Sequence, residues 1–181
     1  MIRIGCLMLC VTLLMVPAWA EAPPEPAGYR LENYRSPTPR TLAGATTLAA
    51  DEAAALWRQK GAVFIDVMPQ PPRPATLPAE TLWRPPPRDS IPGAIWLPNV
   101  GFGEIAPETE AYFRRGLAHA TDNDPSRPIV LFCMRNCWMS WNAAKRALAM
   151  GYSEVLWYPG GADGWAEAGH PTERLEPWAA S

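Results

Sequence analysis

The chain has 181 residues, and its 16 lysines and arginines against 18 acids give a formal net charge of −2. Near-neutral balance without any basic block excludes nucleic acid as an expected partner. Only 4 cysteines exclude a disulfide-framed miniprotein, and the length suits one domain with a sizeable core.

The first element is a targeting segment. Arg3 precedes an apolar run from Ile4 to Val16, and Ala18-Trp19-Ala20 forms an A-x-A cleavage signal. Residues 1–20 are therefore expected to be a signal peptide cleaved after Ala20, which makes the mature protein periplasmic with no membrane attachment. The alternative is an uncleaved anchor, although the run falls short of the ~20 apolar residues that span a bilayer. Cys6 and Cys10 leave with the leader, so Cys133 and Cys137 are the cysteines of the mature chain. Two thiols so close together belong to a site.

Residues 21–45 contain Pro23, Pro24, Pro26, Pro37 and Pro39 and read as an extended Pro-rich arm. The main domain is expected over 46–175, with a tail at 176–181. Leu48, Ala53, Leu56 and Trp57 recur at helical spacing, predicting a helix over Thr47–Lys60, with Asp51 and Glu52 in its first turn and Gly61 ending it. Ala62–Val67 is a short buried strand containing Asp66. The stretch 69–90 carries eight prolines and is expected to be a rigid surface loop without a hydrogen-bonded ladder, with a lid or docking surface as the functional alternative. Ile95–Pro98 includes another short strand, and Pro107–Ala120 is a helix with proline in its first turn. Ile129–Phe132 is a central strand, Ser140–Met150 a helix closed by Gly151, Glu154–Tyr158 the last strand, and a brief helix surrounds Trp165. Ser140 is expected as a helix cap. Strands alternating with helices predict an α/β fold, a parallel β-sheet with helices on both faces.

The segment Cys133-Met134-Arg135-Asn136-Cys137-Trp138 joins the central strand to the following helix. A nucleophile at the carboxyl end of a parallel strand and before a helix sits where backbone amides and the helix dipole favour an anion. Cys133 is the candidate nucleophile, with a buried inert thiol as the alternative. Arg135 can lower its pKa or bind an anionic substrate, or be a solvated charge. Cys137 can attack a persulfide or sulfenate on Cys133 and close a disulfide. That requires the two Cα atoms to approach within about 4.4–6.8 Å; otherwise Cys137 is simply a small loop side chain. Met134 and Asn136 complete the loop as candidate substrate-binding positions. Trp138 and Trp141 are either core packing or an apolar rim for an aromatic or quinone-like ligand. Asp66 stands at the site edge or serves as an ordinary turn carboxylate. No metal is expected: two cysteines with His119 and His170 far along the chain make no zinc set, and no Cys-x-x-Cys-His occurs for a c-type haem. A phosphatase would need arginine where Met139 stands.

Phe64-Ile65-Asp66-Val67, Ser90-Ile91-Pro92-Gly93-Ala94-Ile95, Phe132-Cys133 with Ala143-Ala144 and Gly151-Tyr152, and Gly160-Gly161 with Trp165 and Gly169-His170-Pro171 occur in one order. In that order the chain resembles the rhodanese-like (sulfurtransferase-fold) proteins from about Thr46 to Thr172. With Cys137-Trp138 added, it resembles the CXXCW motif proteins associated with pyrroloquinoline-quinone (PQQ)-dependent catabolism, although its own spacing is Cys-x-x-x-Cys-Trp. Met68 and Ser90 depart from the arginine and histidine common at those positions in rhodaneses. The resemblance implies sulfane-sulfur transfer through a persulfide on Cys133, as in a thiosulfate sulfurtransferase, or thiol–disulfide exchange with Cys137. It implies as partners a small anionic sulfur donor or a periplasmic redox protein, and a contextual link to quinoprotein alcohol oxidation. The alternative is a catalytically silent binding module for a periplasmic partner or redox cofactor.

Overall fold

Two apolar runs, Val63–Asp66 and Ile129–Phe132, lie side by side as parallel strands at the heart of the molecule. The computed structural model describes residues 22–180, so the expected leader and its cleavage point lie outside the described residues. In chain order the elements are β1 (Thr46–Thr47), α1 (Ala50–Gln59), β2 (Val63–Asp66), β3 (Arg88–Ser90), β4 (Ile95–Trp96) and α2 (Pro107–Ala120). They continue with β5 (Ile129–Phe132), α3 (Trp138–Ala149), β6 (Val155–Tyr158), α4 (Gly161–Glu167) and β7 (Glu173–Leu175). The sheet order is β1-β6-β5-β2-β4, with every pair parallel.

Side chains alternate across β5. Ile129, Leu131 and Cys133 face a core completed by Phe113 and Leu117 of α2 and by Trp141, Ala144 and Ala147 of α3. Val130 and Phe132 face the opposite core with Ala53 and Ala54 of α1 and Ala162 and Trp165 of α4. The expected α/β sheet with helices on both faces is what the chain forms. Its register sets Asp66, Phe132 and Tyr158 abreast at the carboxyl edge, where β5 runs into Cys133.

Several boundaries differ from the sequence expectation. Thr46 and Thr47 pair with Leu156 and Trp157 as an edge strand, so α1 begins at Ala50, with the Glu52 carboxylate accepting the Ala49 amide at 2.7 Å. Lys60, not Gly61, takes the left-handed conformation (φ 52°) that ends α1. The helix after the cysteine loop starts at Trp138 rather than Ser140. Ser140 therefore lies inside α3, its Oγ donating to Cys137 O (3.0 Å) and accepting from Trp157 Nε1 (3.0 Å). It does not cap the helix.

The Pro-rich insertion is irregular up to Pro87, its turn held by Arg73 donating to the Leu77 and Thr81 carbonyls at 3.1 Å each. Its last three residues were expected to lack a ladder, yet Arg88–Ser90 pairs antiparallel with Glu173–Leu175. Both are short charged strands, which carry no apolar alternation to announce them. The tail folds back: Trp178 N–H donates to Trp96 O at 2.9 Å, and its ring stacks on His119. Among the described residues no helix is long and apolar enough to cross a membrane.

Candidate active site at the cysteine loop

Leaving β5, the chain turns through the five residues 133–137 and enters α3, and it is clamped from both sides. On the α4 side, Met134 bridges Gly161, Ala162 N–H donates to Cys133 O at 3.0 Å, and Arg135 N–H donates to Asp163 Oδ1 at 2.7 Å. Gly161 has φ 62°, and a Cβ there would lie 2.4 Å from Met134 Cα, so only glycine fits. Asn136 makes the turn at φ 54°, a conformation asparagine tolerates better than most residues. On the other side the N-terminal arm closes in: Arg35 bridges Cys137, and Tyr34 O accepts the first helical amide of α3, Trp138 N–H, at 2.9 Å.

Both cysteines are free thiols, and both are buried, Cys133 at 0% and Cys137 at 2% exposure. Cys133 Sγ lies 3.6 Å from Met68 Sδ. Burial pushes the Cys133 thiol well above its ordinary range, reinforced by its hydrogen bond to Cys137. Accepting that hydrogen bond brings Cys137 down to about 6, helped by the Met139 and Met134 backbone amides and by the Arg35 charge. The anion cradle expected around Cys133 is thus centred on Cys137. The cause is the early start of α3, which puts Cys137 at the N-cap position, where amides and dipole favour a thiolate.

Asp66 is fully buried beside this pair. Its Oδ2 accepts from Arg88 Nε at 2.7 Å and from Ser90 Oγ at 2.5 Å, and its Oδ1 from Met68 N–H at 2.9 Å. Burial raises the carboxyl pKa, with Arg88, Ser90 and the amide pulling against it. The same guanidinium donates through Nη2 to Cys133 O at 2.9 Å. Arg88 is the residue that sequence reasoning passed over. It stands at the exit of a proline run with no periodicity or motif around it, and only the β3–β7 ladder carries it to the sheet edge.

At Arg135 and Trp138 the structure favours the plainer of the two readings left open. Arg135 does not face the thiols: its guanidinium pairs with Glu167 on α4, both side chains roughly half exposed. The Met134–Gly161 bridge directs residue 135 outward, away from the sulfurs. Trp138 does not form an open rim. It is buried, with Nε1 donating to Pro37 O at 3.0 Å and Ser36 Oγ at 3.1 Å and the Arg30 guanidinium 5.1 Å over its ring. Trp141 is buried edge-on against it. Met134 is half-buried and Asn136 exposed at the loop tip. His119 stacks on Trp178 and His170 packs on Trp165, and among the described residues no group of three His, Cys, Asp or Glu side chains could hold a metal ion.

An open-edged parallel sheet with a cysteine loop between its central strand and a helix defines a class of α/β domain that works at the carboxyl edge of its strands. Residues 49–168 match the rhodanese-like domain model, and the chain belongs to that family. Among solved structures it is similar to a thiosulfate sulfurtransferase from Pseudomonas aeruginosa, at 22% identity and TM-score 0.51 over 76% of this chain. The match spans only 22% of that longer protein. It is also similar to the polysulfide-sulfur transferase homodimer of Wolinella succinogenes, at 19% identity and TM-score 0.45, covering 72% of this chain and 80% of that one. No curated protein matches the chain.

Proposed function

We propose that this is a periplasmic sulfurtransferase-like protein that moves sulfane sulfur through a persulfide on Cys133, with Cys137 as its partner thiol. The observation that carries the reading is the pair itself: two free, buried thiols set between the carboxyl end of β5 and the amino end of α3. Cys137 accepts the Cys133 proton, and the resulting Cys133 thiolate attacks the outer sulfur of a donor such as thiosulfate. The S–S bond of the donor breaks, sulfite leaves, and Cys133 carries the persulfide. Cys137, now carrying that proton, passes it to the departing sulfur as its own sulfur attacks the inner sulfur of the persulfide, which forms the Cys133–Cys137 disulfide and releases hydrosulfide. Sulfane sulfur is reduced and the two thiols are oxidised, and an external dithiol of a periplasmic redox protein resets the pair. Arg88, fixed between Asp66 and Cys133 O, holds the loop in place during these steps.

The export signal supports the periplasmic location, and Cys137-Trp138 supports placement beside PQQ-dependent alcohol catabolism. Trp138 and Trp141 are buried and do not fit a bound quinone, so that link is one of context and no step runs through the cofactor. The second reading, a silent binding module, is favoured by one observation: both sulfurs are covered. Intact mass of the mature protein, isolated without reductant, separates the two. Thiosulfate should add one sulfur atom, or leave a mass two hydrogens lower, each reversed by dithiothreitol and the adduct absent in Cys133→Ser. If both thiols stay free and unmodified, sulfur transfer is refuted and the binding module takes its place.

A further inference from the structure

The arm that closes over the loop is anchored on one stripe of α3. Trp138, Trp141, Asn142 and Lys145 recur at i, i+3, i+4 and i+7, the spacing that lines one helix face. Each holds arm backbone. Trp138 Nε1 donates to Pro37 O, Trp141 Nε1 to Thr41 O at 3.1 Å, and Lys145 Nζ to Ala27 O at 2.7 Å. Asn142 reads residue 30 like a strand partner: Arg30 N–H donates to Oδ1 and Nδ2 donates to Arg30 O, both at 2.9 Å. Tyr34 OH accepts Gly103 N–H at 3.1 Å, which ties the arm to the far wall as well.

The two sides of the cover are unequal. The α4 side is built into the domain through the Met134–Gly161 bridge and the Ala162–Cys133 hydrogen bond. The arm has no regular structure between Ala22 and Ala45 beyond the single Arg35–Cys137 bridge. Its anchors are largely side chain to backbone and partly exposed, and Leu31 stands 58% exposed above it. Segments of this kind open at lower free energy than sheet and core, and prolines at 37 and 39 make this one stiff enough to move as a strap. While it is down, Tyr34 O occupies the first free amide of α3, the donor an incoming anion would use.

We propose that residues 30–37 are a gate over the dithiol, and that reagents reach Cys133 and Cys137 only when this segment lifts from the amino end of α3. The inference rests on the reading of the two cysteines as the reacting pair, and it assigns the Trp138–Lys145 stripe a regulatory role. The opened state presents Cys137, the Trp138 amide and the Arg35 charge together to a small anion or to an extended thiol-bearing chain.

The test is the rate of iodoacetamide alkylation of the reduced full-length mature chain, resolved by mass, alongside amide hydrogen exchange at Trp138 and at β5. Two variants loosen the gate without touching the cysteines: the half-buried pair Arg30→Ala with Ser36→Ala, and Asn142→Ala. Each should raise alkylation and Trp138 exchange together by roughly fivefold or more, the scale of a few lost hydrogen bonds (Asn142 also donates to Gly101 O at 3.0 Å), with β5 exchange unmoved. Unchanged alkylation in both variants overturns the gate, and so does alkylation that rises only in step with β5 exchange, since that is global unfolding. Thiosulfate distinguishes the two proposals. If alkylation responds but no variant ever gains sulfur, the gate stands and sulfur transfer falls. A sulfur adduct forming at equal rates in wild type and both variants refutes the gate and leaves transfer standing.

Discussion

Replacing Arg88 by alanine isolates the charge that sits behind the cysteine loop. The substitution leaves Asp66, which is fully buried, with only Ser90 Oγ and the Met68 amide, and strips Cys133 O of one of its two donors. Breaking a buried pair from one side costs about 3–5 kcal/mol. Arg88 keeps 12% of its side chain exposed, so water can follow into the vacated space and the lower end applies, about 3 kcal/mol. For a domain of this size that corresponds to a fall in melting temperature of about 6–12 °C. Urea denaturation gives the free energy directly. The pH dependence carries the diagnosis. Burial already raises Asp66, and without Arg88 the carboxyl rises further. A raised acid stabilises the fold when protonated, so the variant's deficit should shrink as pH falls from 7 toward 5, approaching the unfolded carboxyl near 3.9. Arg88→Lys restores the charge but not both hydrogen bonds, and should recover about half the loss. A loss under about 1 kcal/mol at pH 7, or one that is the same at both pH values, would refute the reasoning.

Alkylation of Cys137 should rise with pH through a midpoint near 6 and level off at neutrality, and in Cys133→Ala the midpoint should move upward because no side-chain donor remains at that position. The stability that the depressed Cys137 supplies is complete above the unfolded thiol's pKa near 8.5 and is lost as pH falls through about 6, which thermal melts of wild type and Cys137→Ser would show as converging curves. Gly161→Ala should destabilise by about 2 kcal/mol or more, from the left-handed backbone and the contact with Met134, measured by urea titration. Arg135→Ala should leave stability within ~1 kcal/mol and the alkylation midpoint unmoved, because its exposed pair with Glu167 faces away from the sulfurs.

The sheet was legible because its strands are apolar runs of the right length between glycine and proline punctuation; Val63–Asp66 and Ile129–Phe132 announce themselves. So did α2, where proline marks the first turn, and the loop between β5 and α3, which holds the two cysteines of the described residues. Arg88 was not legible, since its place depends on pairing with residues 173–175 across half the chain. Nor was the start of α3. Cys-Trp-Met carries no capping side chain, and the amide that such a side chain would satisfy goes instead to Tyr34 O, over a hundred positions earlier in sequence. Trp138 and Trp141 read more readily as core packing than as a ligand rim, and the arm that bonds to both makes them core.

The distance between arm and α3 also orders the events of folding. Arg30 and Asn142 are 112 positions apart, and Lys145 and Ala27 118. Contacts of such separation close costly loops and form slowly. The arm is the first part of the described chain to be synthesised and the last to have a surface to dock on, because its platform exists only once α3 lies on the sheet. On the export proposed above, the chain passes through an interval in which the sheet is formed while the thiols are still bare, and final docking covers them. The strap fixes when the cysteines stop being ordinary thiols.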